Sequence, residues 1–142
     1  MDRNEMTKRL GSVPLFAQLE PHDLDLIAAR MKEVHFEPGR AIAKQGDSGV
    51  GFHLIVDGEA EVSGEGVPRH SIGAGGYFGE IGLIDGGVRS ATVTAVSDLT
   101  TLALVSWDFQ PLLDNPAFSK GLLMGLCQLV RDYRDAAADM KS

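Results

Sequence analysis

Between about Glu33 and Ser106 the chain is dense in glycine, and short β-prone runs alternate with turn signals. Val34-His35-Phe36 runs into Glu37-Pro38-Gly39, and Ala41-Ile42-Ala43 runs into Gly46-Asp47. Phe52-His53-Leu54-Ile55-Val56 ends at Asp57-Gly58, the dipeptide that favours a two-residue hairpin. Glu59-Ala60-Glu61-Val62 then alternates, and Ala91 to Val96 and Leu102 to Val105 follow. Many short strands at regular spacing imply a small barrel or roll.

The flanks have a different period. Leu24, Ile27, Ala28 and Met31 repeat at helical spacing behind Pro21, which suits a first helical turn. Val13, Pro14, Leu15 and Phe16 are apolar and are expected to dock a short N-terminal helix on the body. Trp107 to Leu113 reads as a short helix, with Asn115-Pro116 as the break, and Phe118 to about Met140 as a longer one. In the latter, Leu122, Leu126, Leu129, Val130 and Tyr133 recur at three- and four-residue steps. The stretch from Asp132 to Ser142 is charged, has little to bury, and belongs at the low-stability end of the fold. The expected class is α+β: a small antiparallel β-roll, jelly-roll-like, flanked by N-terminal helices and a C-terminal helix pair. One domain, 1–142, divides into helices at 1–32, the roll at 33–106 and helices at 107–142. A chain of 142 residues with 44% hydrophobic content is long enough to bury such a core.

Composition removes several function classes. There is no run of 18 or more apolar residues, so no membrane helix is expected. The charged start, Met1-Asp2-Arg3-Asn4-Glu5, has no apolar region after it, so a cytoplasmic protein is expected. The single cysteine, Cys127, cannot form an internal disulfide, and its apolar setting reads as a small buried hydrophobe. The net charge of −7 repels nucleic acid and anionic membranes. An anionic ligand therefore needs a local device: an arginine, backbone N–H groups, or a helix N-terminus.

One stretch, 78–93, offers that device. Phe78-Gly79-Glu80 is followed by Ile81-Gly82-Leu83-Ile84, a glycine turn, and Arg89-Ser90-Ala91-Thr92-Val93. A helical turn after Gly79 would point its N–H groups at an anion, and glycine lets the backbone come close. Arg89 can fork two hydrogen bonds onto a phosphate. Glu80, acceptor-only when ionised, suits a sugar hydroxyl instead. Together they match a ribose bearing a phosphate. On these residues alone, an ordinary surface ion pair between Glu80 and Arg89 fits equally well.

The stretch resembles the phosphate-binding cassette of the cyclic nucleotide-binding domain family. That family includes the catabolite activator protein, regulatory subunits of cyclic-nucleotide-dependent kinases, and cyclic-nucleotide-gated channels. Its cassette reads Phe-Gly-Glu, an apolar turn, then Arg-x-Ala and Val. Pro38-Gly39, Gly46-Asp47, Phe52 to Ile55 and Gly58 also match its turns and core strand. The resemblance implies that Glu80 accepts from the ribose 2′-OH and that Arg89 pairs with the cyclic phosphate. It implies that the amides of Gly79, Ser90 and Ala91 cradle both, with a further bond from the Ser90 hydroxyl. Phe78 and Ile81 are secondary candidates. Arg131, Tyr133 and Arg134 are the candidates to cover the base, although solvated arginines and a core tyrosine explain them as well. Two departures stand out: Val88 replaces a common proline before the arginine. Gly82 replaces a common alanine or serine, at a cost of roughly 0.5–1 kcal/mol.

The resemblance implies a sensor or regulatory module, with cAMP as ligand; Ser90 keeps cGMP open. No catalytic residue, metal or cofactor is expected. The cupin-like alternative needs clustered histidines, and His35 with Glu37 is the nearest approach. No helix-turn-helix follows the long helix before Ser142, so direct DNA binding is not expected. The competing reading is an interaction or dimerisation module of this fold that has lost its ligand. The expected partners are the nucleotide, with a second copy along the C-terminal helix or an effector protein.

Overall fold

A computed structural model describes residues 1–13, 15–46, 51–79, 91–105 and 110–141. Helices α1 (Arg3–Gly11) and α2 (Pro21–Arg30) lead into eight strands. These are β1 (Lys32–Phe36), β2 (Ala41–Ala43), β3 (Gly51–Asp57), β4 (Ala60–Gly64), β5 (Val67–Ile72), β6 (Tyr77–Phe78), β7 (Thr92–Ala95) and β8 (Leu99–Val105). A 3-10 turn (Gln110–Asp114) and a long helix, α3 (Pro116–Lys141), follow. The strands form two four-stranded sheets, ordered β1-β8-β3-β6 and β2-β7-β4-β5, and every pairing is antiparallel. The α+β roll expected from the sequence is the fold observed.

The two sheets differ in what they cover. In the second sheet Ala60 and Val62 of β4 and Val93 and Ala95 of β7 turn inward, while Glu61 stays outside. That is the alternation of a sheet with one dry face. In the first sheet β3 and β8 are dry on both faces. Ile55, Phe78 and Leu99 join the interior cluster with Val62 and Val93. Phe52, Leu54, Val56, Leu102 and Leu104 face the opposite way, onto Leu10, Phe16, Ile27 and Phe118. The run Phe52–Val56, apolar except for His53, reflects that double burial.

Asp57-Gly58 is not a hairpin. β3 pairs with β6 and β8, whereas β4 pairs with β5 and β7, so Asp57-Gly58 carries the chain from one sheet to the other. The return crossing, from β7 to β8, runs beside it. Glu59 N–H donates to Ser97 Oγ at 3.0 Å and Val96 N–H to the Glu59 carbonyl at 3.0 Å. Gly58 has φ +93, and a Cβ there would overlap the Asp98 carbonyl oxygen and stand 3.0 Å from the Leu99 Cα. Glycine is required by this close crossing, not by a two-residue loop. The hairpin lies later, where Gly64 pairs with Val67 around Gly66, φ +73.

The C-terminal region also departs from expectation. Asn115-Pro116 separates the 3-10 turn from α3, as expected, but α3 starts at Pro116 and not at Phe118: Asn115 Oδ1 accepts from the N–H groups of Ala117 at 3.0 Å and Phe118 at 3.3 Å, with Pro116 at the first helical position. The short helix expected from Trp107 is described only as the 3-10 turn, because 106–109 lie outside the described residues. Phe118 and Leu122 of α3 are buried, but Leu126, Leu129 and Tyr133 are half-buried, and Val130 is exposed. Cys127 is exposed, against the expected burial, because the apolar stripe is seated only over the first turns of α3. Among the described residues no helix is long and apolar enough to cross a membrane.

Replacing Gly58 with alanine is expected to destabilise the protein by on the order of 2–4 kcal/mol, from positive-φ strain plus overlap with Asp98. Urea unfolding measures it; a change below about 0.5 kcal/mol would mean that the two crossings are not packed as described.

Candidate functional site

β6 belongs to the first sheet and β7 to the second, so the chain passes from one sheet to the other again between Gly79 and Ala91. This is the cassette. Glu80, Ile81, Arg89 and Ser90, with Gly82 and Val88, lie outside the described residues. The described residues hold the two ends of the segment and its surroundings.

At the first end, successive residues of β6 face opposite ways, as a strand requires. Phe78, 6% exposed, enters the interior cluster, and Tyr77 packs on the helix side against Phe52, with ring centroids 5.5 Å apart. The Phe78 ring stacks on His53 at 5.0 Å and 10°, and Phe36 meets His53 at 6.0 Å. His53 Nδ1 lies 2.9 Å from the hydroxyl of Thr101, a fully buried polar side chain. Gly79 follows at φ +96, a conformation that a residue with a Cβ rarely adopts, so the chain turns away from β6 where glycine permits it. Its lack of a side chain leaves the backbone open to close approach.

At the second end Ala91 is half-buried against the interior cluster. The adjacent Thr92 hydroxyl accepts from the Gln45 N–H at 3.0 Å. The Gln45 side chain then exchanges two bonds with the Glu65 backbone: Nε2 donates to the carbonyl at 3.1 Å, and Oε1 accepts from the N–H at 2.9 Å. Gln45 thus ties the end of β2, the β4–β5 turn and the start of β7 together. Ile42, Val67 and Ile72 sit half-buried over the same cluster. The result is an apolar wall with a hydrogen-bonded rim.

The structure brings Phe78, Gly79 and Ala91 to the two edges of one sheet-to-sheet crossing. The base-covering candidates lie on α3, and most of the crossing they would face lies outside the described residues. Arg131 and Arg134 are exposed on α3, Tyr133 is half-buried, and no described residue of α3 joins the interior cluster. Gln45 and the His53–Phe78–Thr101 group were not legible as site scaffold. The first is a lone glutamine between a strand and a turn; the second joins residues of three strands that are distant in sequence. Among the described residues no group of three His, Cys, Asp or Glu could hold a metal ion.

The sequence profile described as the cyclic nucleotide-binding domain matches residues 33–115. The chain is 40% identical over 106 residues to the cAMP-dependent protein kinase regulatory subunit of Eremothecium gossypii, covering 73% of this chain and 23% of that protein. It spans about a quarter of the length of such curated relatives. Among solved structures it is similar to the Thermus thermophilus catabolite activator protein, with 31% identity and TM-score 0.74, over 89% of this chain and 62% of that one. It is also similar to the regulatory domain of Toxoplasma gondii protein kinase A in co-crystal with cAMP, with 26% identity and TM-score 0.78, over 89% of this chain and 49% of that one. Two of these three are the regulatory part of a kinase. The roll, the glycine-led crossing at Gly79 and the match across 33–115 agree, and the chain belongs to the cyclic nucleotide-binding domain family.

Proposed function

We propose that the protein binds cAMP at the crossing between Gly79 and Ala91 and acts in the cytoplasm as a regulatory sensor, not as an enzyme. The observation that carries this reading is the placement of the Phe78-Gly79-Glu80 and Arg89-Ser90-Ala91 motifs. Both fall inside the family match, on the one segment joining the anchored ends at Phe78 and Ala91. Relatives sharing the family are named for cAMP, which supports the choice of nucleotide.

The chemistry follows from the residue types. In a chain of net charge −7 a cyclic phosphate gains nothing from the overall field, so its binding must rest on local groups. The Arg89 guanidinium pairs with the phosphate through two N–H groups, and the amides of Gly79, Ser90 and Ala91 donate to the remaining oxygens. The Glu80 carboxylate accepts from the ribose 2′-OH. The base lies toward the apolar wall, with Arg131, Tyr133 and Arg134 of α3 as the candidates to cover it. The module needs no metal or cofactor for any of this.

A second reading, an interaction module without a ligand, is favoured by one observation: Leu123, Met124 and Val130 are 61%, 64% and 58% exposed on α3. A second copy or an effector protein would cover that face in either reading. Nucleotide binding separates the two.

Arg89→Ala is expected to cost on the order of 2–5 kcal/mol of cAMP binding, roughly a 30- to several-thousand-fold loss of affinity. Calorimetry checks it, and unchanged affinity would remove Arg89 from the site. Glu80→Gln should cost less, since an amide oxygen still accepts. In a competition titration cAMP is expected to outcompete cGMP, and linear AMP to bind far more weakly than either. Tighter cGMP binding would instead assign the Ser90 hydroxyl to the guanine amine.

A further inference from the structure

Two glycines stand one turn apart within α3, Gly121 and Gly125. Glycine inside a helix is destabilising, so such a pair calls for a physical reason. A Cβ on Gly121 would stand 3.2 Å from the Leu15 carbonyl oxygen. A Cβ on Gly125 would overlap the Tyr77 hydroxyl and lie 3.5 Å from Tyr77 Cζ. The tyrosine therefore reaches into the space that Gly125 leaves on the helix.

Tyr77 is also the residue before Phe78-Gly79. Its strand, β6, is two residues long and is held to β3 by the pairs His53↔Phe78 and Leu54↔Tyr77. One side chain of this strand touches α3, and the next enters the roll interior beside the cassette. The Tyr77 ring continues into a chain of aromatic contacts: Phe52 at 5.5 Å, then Phe16 at 6.3 Å, then Phe118 at 5.6 Å at the start of α3. The contacts close a loop from β6 through the body to α3 and back at Gly125. Beside it lies an open groove of about 860 Å³, lined by Leu15, Gly75, Tyr77, Lys120, Gly121 and Met124.

We propose that Tyr77 is a positioning residue whose seat on Gly125 couples α3 to the entrance of the cassette. Occupancy of the site then biases where α3 sits, and displacement of α3 weakens occupancy by the same factor, as linkage requires. The proposal rests on the cyclic-nucleotide reading and names how that site is regulated.

The test is a double-mutant cycle read by cAMP calorimetry and by thermal unfolding. Gly125→Ala puts a methyl group where the hydroxyl sits, and is expected to weaken cAMP about five-fold or more. On a Tyr77→Ala background the same substitution meets no obstacle, and is expected to change affinity by less than about two-fold. Equal effects of Gly125→Ala in both backgrounds overturn the coupling. So does a lowered melting temperature with unchanged affinity, since that marks a packing contact alone. If Gly125→Ala does not fold, Tyr77→Ala carries the test by hydrogen exchange. Saturating cAMP is expected to alter protection over 116–130 in the natural protein and not in the variant, and the same change in both overturns the proposal. A natural protein that binds no cAMP overturns the ligand reading and the coupling with it, whereas an additive cycle overturns the coupling alone.

Discussion

The ladder between β3 and β8 carries both hydrophobic layers of the molecule. It runs from Gly51↔Val105 to Asp57↔Thr100, and residues alternate between the roll interior and the helix layer along it. Ile55 and Leu99 serve the interior; Phe52, Leu54, Leu102 and Leu104 hold the helices. A slip of one residue would exchange the two sets, so the register is fixed by burial on both sides. The N-terminal segment, α3 and the short strand β6 all take their positions from this ladder. The cassette inherits its starting point from it through Phe78 and His53.

From that ladder the chain crosses between sheets, and the crossings are where glycine is indispensable. At Gly58 the reason is steric, since Asp98 occupies the place of a side chain. At Gly79 it is conformational, with φ +96 at the end of a strand. An acidic protein that binds a phosphate ester must concentrate its donors in one short segment. A crossing pinned at Phe78 on one sheet and at Thr92, through Gln45, on the other provides a fixed frame for such a segment.

The sequence was most legible where a local period reports burial. Phe52–Val56 shows it as a run that is apolar except for His53, and Pro21 with Leu24, Ile27 and Ala28 shows it as a helix. β5 escaped because Val67-Pro68-Arg69-His70-Ser71-Ile72 has no apolar alternation; as an edge strand it needs little, and it tolerates proline. β6 is too short to have a period. Asp57-Gly58 misled because the same dipeptide serves a tight hairpin and a crossing between sheets. Cys127 misled because helical spacing continues past the point where α3 has anything to pack against. In the site, Glu80 and Arg89 stand in a short motif. The Gln45 clasp, the His53–Phe78 stack and the Tyr77–Gly125 seat join residues distant in sequence, and no local pattern announces them.

The central claim is that a cyclic nucleotide occupies the crossing between Gly79 and Ala91. An NMR titration of the nitrogen-15-labelled protein with cAMP tests it most directly, because each amide reports separately. The account predicts saturable shifts that are largest at Gly79 and Ala91, with smaller ones at Ile42, Val67 and Ile72. Absence of saturable shifts at Gly79 and Ala91, or largest shifts at Leu15, Lys120 and Met124 along the α3 groove, would contradict it.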